Sequence, residues 1–230
     1  KPRDRLRRFR TLMAIAFDAA SSASGTGTSL TWSHTCTGSD RILMVGVAIN
    51  MAGDTPSVTG ITYNSVALTL VGAVSNGTTR RSELWQLVNP ATGANNIVVT
   101  LSQSKAMVGG GVSLTGVDQT TPVGTFASAT GNSTTPSVNV SSVADELVID
   151  SAASGDDAGD TMTAGAGQTQ RWNVQGSPFG MGSTEAGAAT VTMSWTKTGA
   201  SKTWATGGVS LKVAVAVTAG LVRSWGLIIG

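Results

Sequence analysis

Gly110-Gly111-Val112-Ser113-Leu114 occurs twice in this chain, the second time as Gly207-Gly208-Val209-Ser210-Leu211. The copies stand about a hundred residues apart, and the residues before them also match loosely. Ile97–Ser102 precedes the first copy and Thr190–Trp195 precedes the second, and both stretches alternate apolar with polar residues. A short phrase that returns together with its upstream pattern indicates an internal repeat. The sequence therefore predicts two degenerate copies of one β-rich unit.

The two predicted halves cover residues 13–117 and 123–217. The segment 116–122 that joins them is rich in turn residues, but it is too short and too apolar at its ends for a free linker. One continuous sandwich is therefore favoured over two separate domains. A chain of 230 residues is long enough to bury such a core.

Period-2 alternation dominates both halves, and no window shows a helical stripe. β-Branched residues are dense, and Asn-Gly, Thr-Gly and Asn-Pro pairs mark turns. This pattern predicts an all-β fold, a β-sandwich or jelly roll. The predicted strands lie near 13–19, 28–35, 41–50, 58–63, 66–74, 80–88, 95–102, 106–117, 123–130, 136–142, 146–153, 168–174, 178–183, 189–196 and 203–217.

Charged residues make up only 12% of the chain, against about a quarter in an average protein. Regular apolar runs argue against disorder as the reason. A surface this poor in charge is typical of a subunit covered by neighbours or of an extracellular fibre. No uninterrupted apolar run reaches the length of a membrane-spanning helix, so no membrane partner is expected.

The first twelve residues form a basic arm. Residues 1–10 hold six Lys and Arg residues against Asp4 alone, whereas the whole chain has a net charge of +2, so the remainder is mildly acidic. The basic balance belongs to the arm, and no nucleic acid is expected on the domain body. A secretory signal, or an extension in front of a true start at Met13, are the alternatives for this segment. The arginines predicted to bind a partner are Arg3, Arg5, Arg7, Arg8 and Arg10.

The last predicted strand runs on into an apolar tail, residues 218–230, which has a single Arg. The tail either folds back on its own sandwich or pairs with a neighbouring subunit, and membrane insertion is the remaining alternative. Its predicted partner-binding residues are Leu221, Trp225, Leu227 and Ile228.

Nothing in the sequence indicates a reactive centre, and the chain is not expected to be an enzyme. His34 is the single histidine and Cys36 the single cysteine, which is too few ligands for a zinc site within one chain. The loop carrying Asp156, Asp157 and Asp160 is rich in carboxylates, which favours either a solvated turn or a structural Ca²⁺ site. No other cofactor is expected.

Six tryptophans are an unusual share of eleven aromatic residues. Trp32, Trp85 and Trp195 keep the apolar phase of their strands and are predicted to be core residues. Trp172 and Trp204 are less determined by their neighbours and are the candidates for an exposed contact with a glycan.

Several phrases resemble a β-sandwich repeat of phage virion proteins and of large bacterial surface or secreted proteins. The phrases are Thr62–Leu68, Leu84-Trp85 with Asn89–Gly93, Gly116–Pro122 and Gly165–Trp172. The resemblance covers about residues 14–212, leaves the arm and the tail outside, and implies no catalytic residues. It implies a fold that serves as a decoration, fibre or adhesion unit.

The leading functional hypothesis is a virion structural protein, a capsid decoration, fibre-like or tail subunit on the outer surface of the particle. Its partners would be copies of itself and other structural subunits. The alternatives are a glycan-binding module of a surface protein and a self-assembling extracellular filament subunit.

Overall fold

The computed structural model describes residues 5–222 of the chain, with side chains over residues 13–215. The regular secondary structure of these residues consists of strands. The strands are β1 (Arg5–Leu12), β2 (Ala16–Cys36), β3 (Ile42–Asn50), β4 (Val58–Tyr63), β5 (Val66–Ala67), β6 (Thr69–Asn76), β7 (Arg80–Val88), β8 (Gly93–Thr115), β9 (Ala127–Ser133), β10 (Ser137–Ser141), β11 (Leu147–Ser154), β12 (Met162–Ala164), β13 (Thr169–Val174), β14 (Phe179–Ala186), β15 (Thr190–Lys197), β16 (Lys202–Leu211) and β17 (Val215–Val222).

The first sandwich is built from β2 to β8, which pair in the order β5-β4-β8-β3-β7-β6 with β2 on β8. Strands β2 and β8 are long enough to belong to both of its layers. Residues 16–27 of β2 pair with residues 105–115 of β8, and residues 29–36 pair with residues 93–100, with an irregularity in register between Gly27 and Ser29.

The two layers of the first sandwich enclose one apolar core. The first large sheet contains β6, β7, β3 and the 16–27 and 105–115 parts of the long strands, and the first small sheet contains β5, β4 and the other parts. Trp32, Tyr63 and Ile97 of the small sheet pack in one buried cluster with Val47 and Trp85 of the large sheet.

The second sandwich repeats this arrangement with shorter strands. Its large sheet has the order β13-β14-β11-β16-β9, and its small sheet has the order β10-β15-β12. Strands β9 and β10 take the places of the two parts of β2, and β15 and β16 take those of β8. The prediction of an all-β sandwich is confirmed. Each half of the chain forms a sandwich of its own, where the sequence had favoured one continuous sandwich.

The two large sheets also pack against each other, so both of their faces are buried. Ile42 and Met44 of β3 share a cluster with Ile149 of β11, Val209 of β16 and Trp172 of β13. The Ser82 hydroxyl donates to the Ser151 carbonyl across this contact at 2.9 Å. The molecule therefore has four layers, small sheet, large sheet, large sheet and small sheet.

The repeated Gly-Gly phrase lies on β8 and β16, the equivalent strands of the two large sheets, where side-chain rings pack directly on the backbone. A Cβ atom on Gly110 would lie 2.1 Å from the Trp172 ring, and one on Gly207 would lie 2.3 Å from the Phe126 ring. Real Cβ atoms do not approach other atoms so closely. The phrase occurs in both halves because each large sheet has a position where a packed aromatic ring leaves no room for a Cβ atom.

The strand positions were predicted well, with five differences. Strand β1 was not predicted, and the strand predicted at 66–74 is divided into β5 and β6. The pairs of strands predicted at 13–19 and 28–35 and at 95–102 and 106–117 are the single strands β2 and β8. The short strand β12 was not predicted. The strand predicted at 203–217 is interrupted, because residues 212–214 bond to the segment that joins the two halves before β17 begins.

Three of the five tryptophan predictions are confirmed and two are wrong. Trp32, Trp85 and Trp195 are buried, as predicted. The prediction that Trp172 and Trp204 are exposed is wrong, since only 4% and 7% of their surfaces are accessible. Trp172 lies between the two large sheets, and Trp204 lies over Gly131 of the adjacent strand and donates its indole N–H to Ser133 Oγ at 3.0 Å.

Candidate functional site

The arm and the tail pair with each other. Strand β1 runs antiparallel to β17, from Arg5 opposite Val222 to Leu12 opposite Val215. We call this two-stranded sheet the terminal ribbon, and within residues 5–222 no third strand is bonded to it. The backbone partner of residues 215–222 is therefore the chain's own arm.

The register places some of the predicted partner-binding residues. Arg5, Arg7, Arg8 and Arg10 all lie on β1, and Leu221 of β17 lies opposite Leu6. The remaining ones, Arg3, Trp225, Leu227 and Ile228, lie outside the described residues.

The ribbon is anchored where the two halves of the chain meet. Ala214 N donates to Gly116 O at 2.8 Å, and Met13 N donates to Ala214 O at 3.0 Å. Gly116 has a φ of 72°, and a Cβ there would lie 2.4 Å from the Ala14 carbonyl oxygen. Only glycine meets both conditions, because side chains disfavour this φ and the arm passes directly over the residue.

A cleft of about 430 Å³ opens beside the start of the ribbon, and we call it the base cleft. Met13 lines the cleft and is 38% exposed. Two apolar residues close to the lining in sequence are also exposed, Val143 by 62% and Val215 by 41%. Asp145 and Glu146 add acidic groups to its lining. Apolar side chains exposed together beside charged ones are typical of protein–protein contacts.

His34 lies inside the first sandwich and is bonded to one serine. Its Nδ1 is 2.8 Å from Ser21 Oγ, which also accepts the Trp32 indole N–H at 3.1 Å. Asp18 instead accepts bonds from Thr37 and Ser113. Within residues 13–215, His34 thus has no hydrogen bond to a carboxylate, and its Nε2 has no partner. This geometry holds two sheets together and does not form an acid–base relay.

His34 is expected to stay neutral far below the usual histidine range, because burial lowers its pKa to about 4. As the single histidine of the chain, it gives one unambiguous ring signal in a proton NMR titration. We expect that signal to be unchanged between about pH 7 and 5 and to move only near pH 4. A midpoint near 6.5 would contradict the buried position.

The acidic loop does not form the predicted Ca²⁺ site. Asp160 is paired with the buried Lys197, and Asp157 accepts from Lys202 Nζ at 2.6 Å. Burial raises the pKa of Asp156, and the charge of Arg80 offsets part of that effect. Within the described residues, no three metal-binding side chains come together. Two of the three carboxylates are thus paired with cations from strands that are distant in sequence.

Two carboxylates are buried on strands of the large sheets. Asp150 of β11 accepts the Ser183 N–H at 2.6 Å, the Ser183 hydroxyl at 2.8 Å and the Trp195 indole N–H at 2.8 Å. In the first sandwich Glu83 of β7 accepts the Trp85 indole N–H at 2.9 Å and bonds Arg81. The sequence feature common to both is one acidic residue within a strand. In each half that residue has a structural role, because it accepts an indole N–H.

No protein-family model matches the chain, and no curated protein matches it in sequence. Among the residues that the structure describes there is no helix of the length and apolarity needed to cross a membrane. Fold and site together define an all-β protein of two stacked sandwiches with a terminal ribbon and an apolar cleft at its base.

Proposed function

We propose that this protein is a structural subunit of a virus particle, a capsid decoration, fibre-like or tail subunit on its outer surface. The observation that carries the proposal is the terminal ribbon, a separate two-stranded sheet that begins beside the exposed apolar residues of the base cleft. Two strands alone are marginally stable in water, and their edges present unpaired backbone groups. A neighbouring subunit that adds a strand satisfies both requirements.

The composition of the ribbon supports the same role. Strand β1 carries four arginines within Arg5–Arg10, whereas β17 carries no charged residue. A strand of this kind attracts an acidic surface through its arginines, and its partner strand offers small and apolar residues for packing. The mildly acidic body of a second copy of this chain is one such surface. The resemblance of residues 14–212 to virion repeat modules favours a particle as the setting.

Deleting either residues 1–12 or residues 219–230 should abolish assembly and leave the sandwiches folded. Because β1 and β17 pair only with each other among the described strands, we expect the two deletions to have the same effect. Sedimentation velocity measures the association state, and circular dichroism with thermal unfolding checks the fold. Truncated proteins that associate like the full chain would refute this role, as would a full chain that stays monomeric at high concentration.

A pair of cysteines at Leu6 and Leu221 tests which chain supplies the partner strand. These residues are directly opposite in the ribbon, at a Cα separation that suits a disulfide. Oxidation of Leu6→Cys/Leu221→Cys should give a link within one chain for the isolated subunit. Links between chains that appear only on assembly would indicate strand exchange. Unlimited polymerisation of the pure protein would instead favour the filament alternative.

A further inference from the structure

A second surface, whose described lining includes no residue of the terminal ribbon, has the features of a ligand site. A groove of about 420 Å³ lies where the β4–β5 turn meets the beginning of β8. The turn consists of Asn64 and Ser65, both with left-handed backbone (φ 49° and 64°), and Asn64 N donates to Asn96 O at 3.3 Å. The polar residues of the lining are Thr62, Asn64, Ser65, Asn95 and Asn96.

The described lining residues of this groove and the strands of the sheet that carries it have no formal charge. No Asp, Glu, Lys or Arg occurs in residues 19–38, 55–79 or 91–104, which include every strand segment of the first small sheet. In a chain of ordinary composition about a quarter of these residues would be charged. The groove therefore offers no counter-charge to a phosphate, a sulfate or an acidic peptide.

The groove also has hydrogen-bonding groups that the protein does not use. Within residues 13–215, the side chains of Thr62, Asn64, Ser65 and Asn96 make no hydrogen bond to another protein group, and Asn95 makes only long ones of 3.4 Å. An asparagine amide both donates and accepts, as does a hydroxyl. Four such side chains around one concavity match a ligand that carries many hydroxyl groups.

The second sandwich shows the contrasting case at the equivalent turn, which follows β12. There Gln168 turns inward, accepts from Ser194 N at 2.7 Å and donates to Ser183 Oγ at 2.6 Å. Its amide is thus used within the fold. The free amides are a property of the first sandwich and do not follow from the repeated architecture.

We propose that this groove binds a neutral oligosaccharide through Asn64, Ser65 and Asn96. Its volume lies within the usual size of small-molecule sites, and its uncharged donors and acceptors suit sugar hydroxyls. The site differs from the glycan contact predicted at Trp172 and Trp204, which are buried. It does not depend on the role of the ribbon, because none of the described residues that line it belongs to β1 or β17.

The test is a titration of the full chain with neutral gluco-, manno-, galacto- and N-acetylglucosamine oligosaccharides, followed by ¹H–¹⁵N NMR of the side-chain amides. We expect saturable shifts of the Asn64 and Asn96 amides with at least one neutral series, and none with sialylated or sulfated glycans. Asn96→Ala should weaken the binding about 3- to 10-fold, the effect of one lost neutral hydrogen bond.

Ser65→Gly separates binding from folding. Glycine adopts a φ of 64° without strain, so this variant should be at least as stable as the parent and should still bind more weakly. Asn139→Ala, on the exposed face of the second small sheet, is the matched control and should bind like the parent. Absence of saturable binding to every neutral series, equal loss in Asn139→Ala, or preference for the anionic glycans would overturn the proposal.

Discussion

Replacing Gly110 with valine should destabilise the folded protein by about 3 kcal/mol or more, because the new side chain overfills a closed contact. A Cβ at this residue would lie 2.1 Å from the Trp172 ring. The ring has no direction in which to move, since Cβ positions at Gly46 and Gly182 would also lie within 2.8 Å of it. Three glycines on two sheets thus enclose one indole, and a side chain at any of them forces the sandwiches apart.

Chemical denaturation monitored by tryptophan fluorescence measures this effect. Gly60→Val is the matched control, because Gly60 also lies in a strand but has no atom within 4 Å of its Cβ position. We expect the control to change the free energy of unfolding by less than about 1 kcal/mol. A double-mutant cycle of Gly110→Ala with Trp172→Ala should be strongly non-additive, since the second change removes the ring that the first one meets. Additive losses would show that the contact between the large sheets is not closed.

Asp150→Ala should cost about 3 kcal/mol or more of folding free energy. The carboxylate is fully buried and accepts from Ser183 N, Ser183 Oγ and Trp195 Nε1, so its removal leaves three donors without an acceptor inside the second sandwich. Asp145→Asn, at an exposed turn, is the control and should change stability by less than about 0.5 kcal/mol. Equal effects of the two substitutions would contradict the structural role of Asp150.

The same residue gives stability a defined pH dependence. Burial raises the pKa of Asp150 to about 6, above its ordinary value of 3.8. Between those values the folded protein keeps a proton that the unfolded chain releases, so this contribution to stability falls as pH rises from about 4 to 6, by up to about 3 kcal/mol. His34 acts in the opposite direction, because its lowered pKa makes stability rise with pH between about 4 and 6.5.

These two slopes can be separated by comparing variants with the parent at each pH. Relative to the parent, Asp150→Asn should lack the part of the free energy of unfolding that falls as pH rises. His34→Gln should lack the part that rises with pH. Urea unfolding at half-unit steps from pH 4 to 7 measures both differences. Parallel curves for the parent and both variants would show that neither group titrates in this window.

The candidate site was only partly accessible from the sequence. The arginines of β1 and the apolar residues of β17 stood out by composition, but their pairing joins residues more than two hundred positions apart, and no local pattern encodes such a contact. The acidic loop 156–160 indicated either a turn or a metal site, and Lys197 and Lys202, which decide between them, arrive from strands β15 and β16. The sequence does not show which amides are bonded. In the structure Gln168 is bonded within the fold, whereas the side chains of Asn64 and Asn96 make no hydrogen bond to the described protein groups.

The sequence alone determined most of the strands, the repeat and the inner cores, because each depends on residues that alternate between water and the interior with a period of two. Trp32, Trp85 and Trp195 followed from that rule. Only the tertiary structure shows that the outer faces of the large sheets cover each other. This contact buries Trp172 and requires glycine where a Cβ atom would meet a packed ring. The physical reason is that alternation records only whether a residue is apolar, whereas stacking of two sheets depends on the shapes of surfaces that lie far apart along the chain.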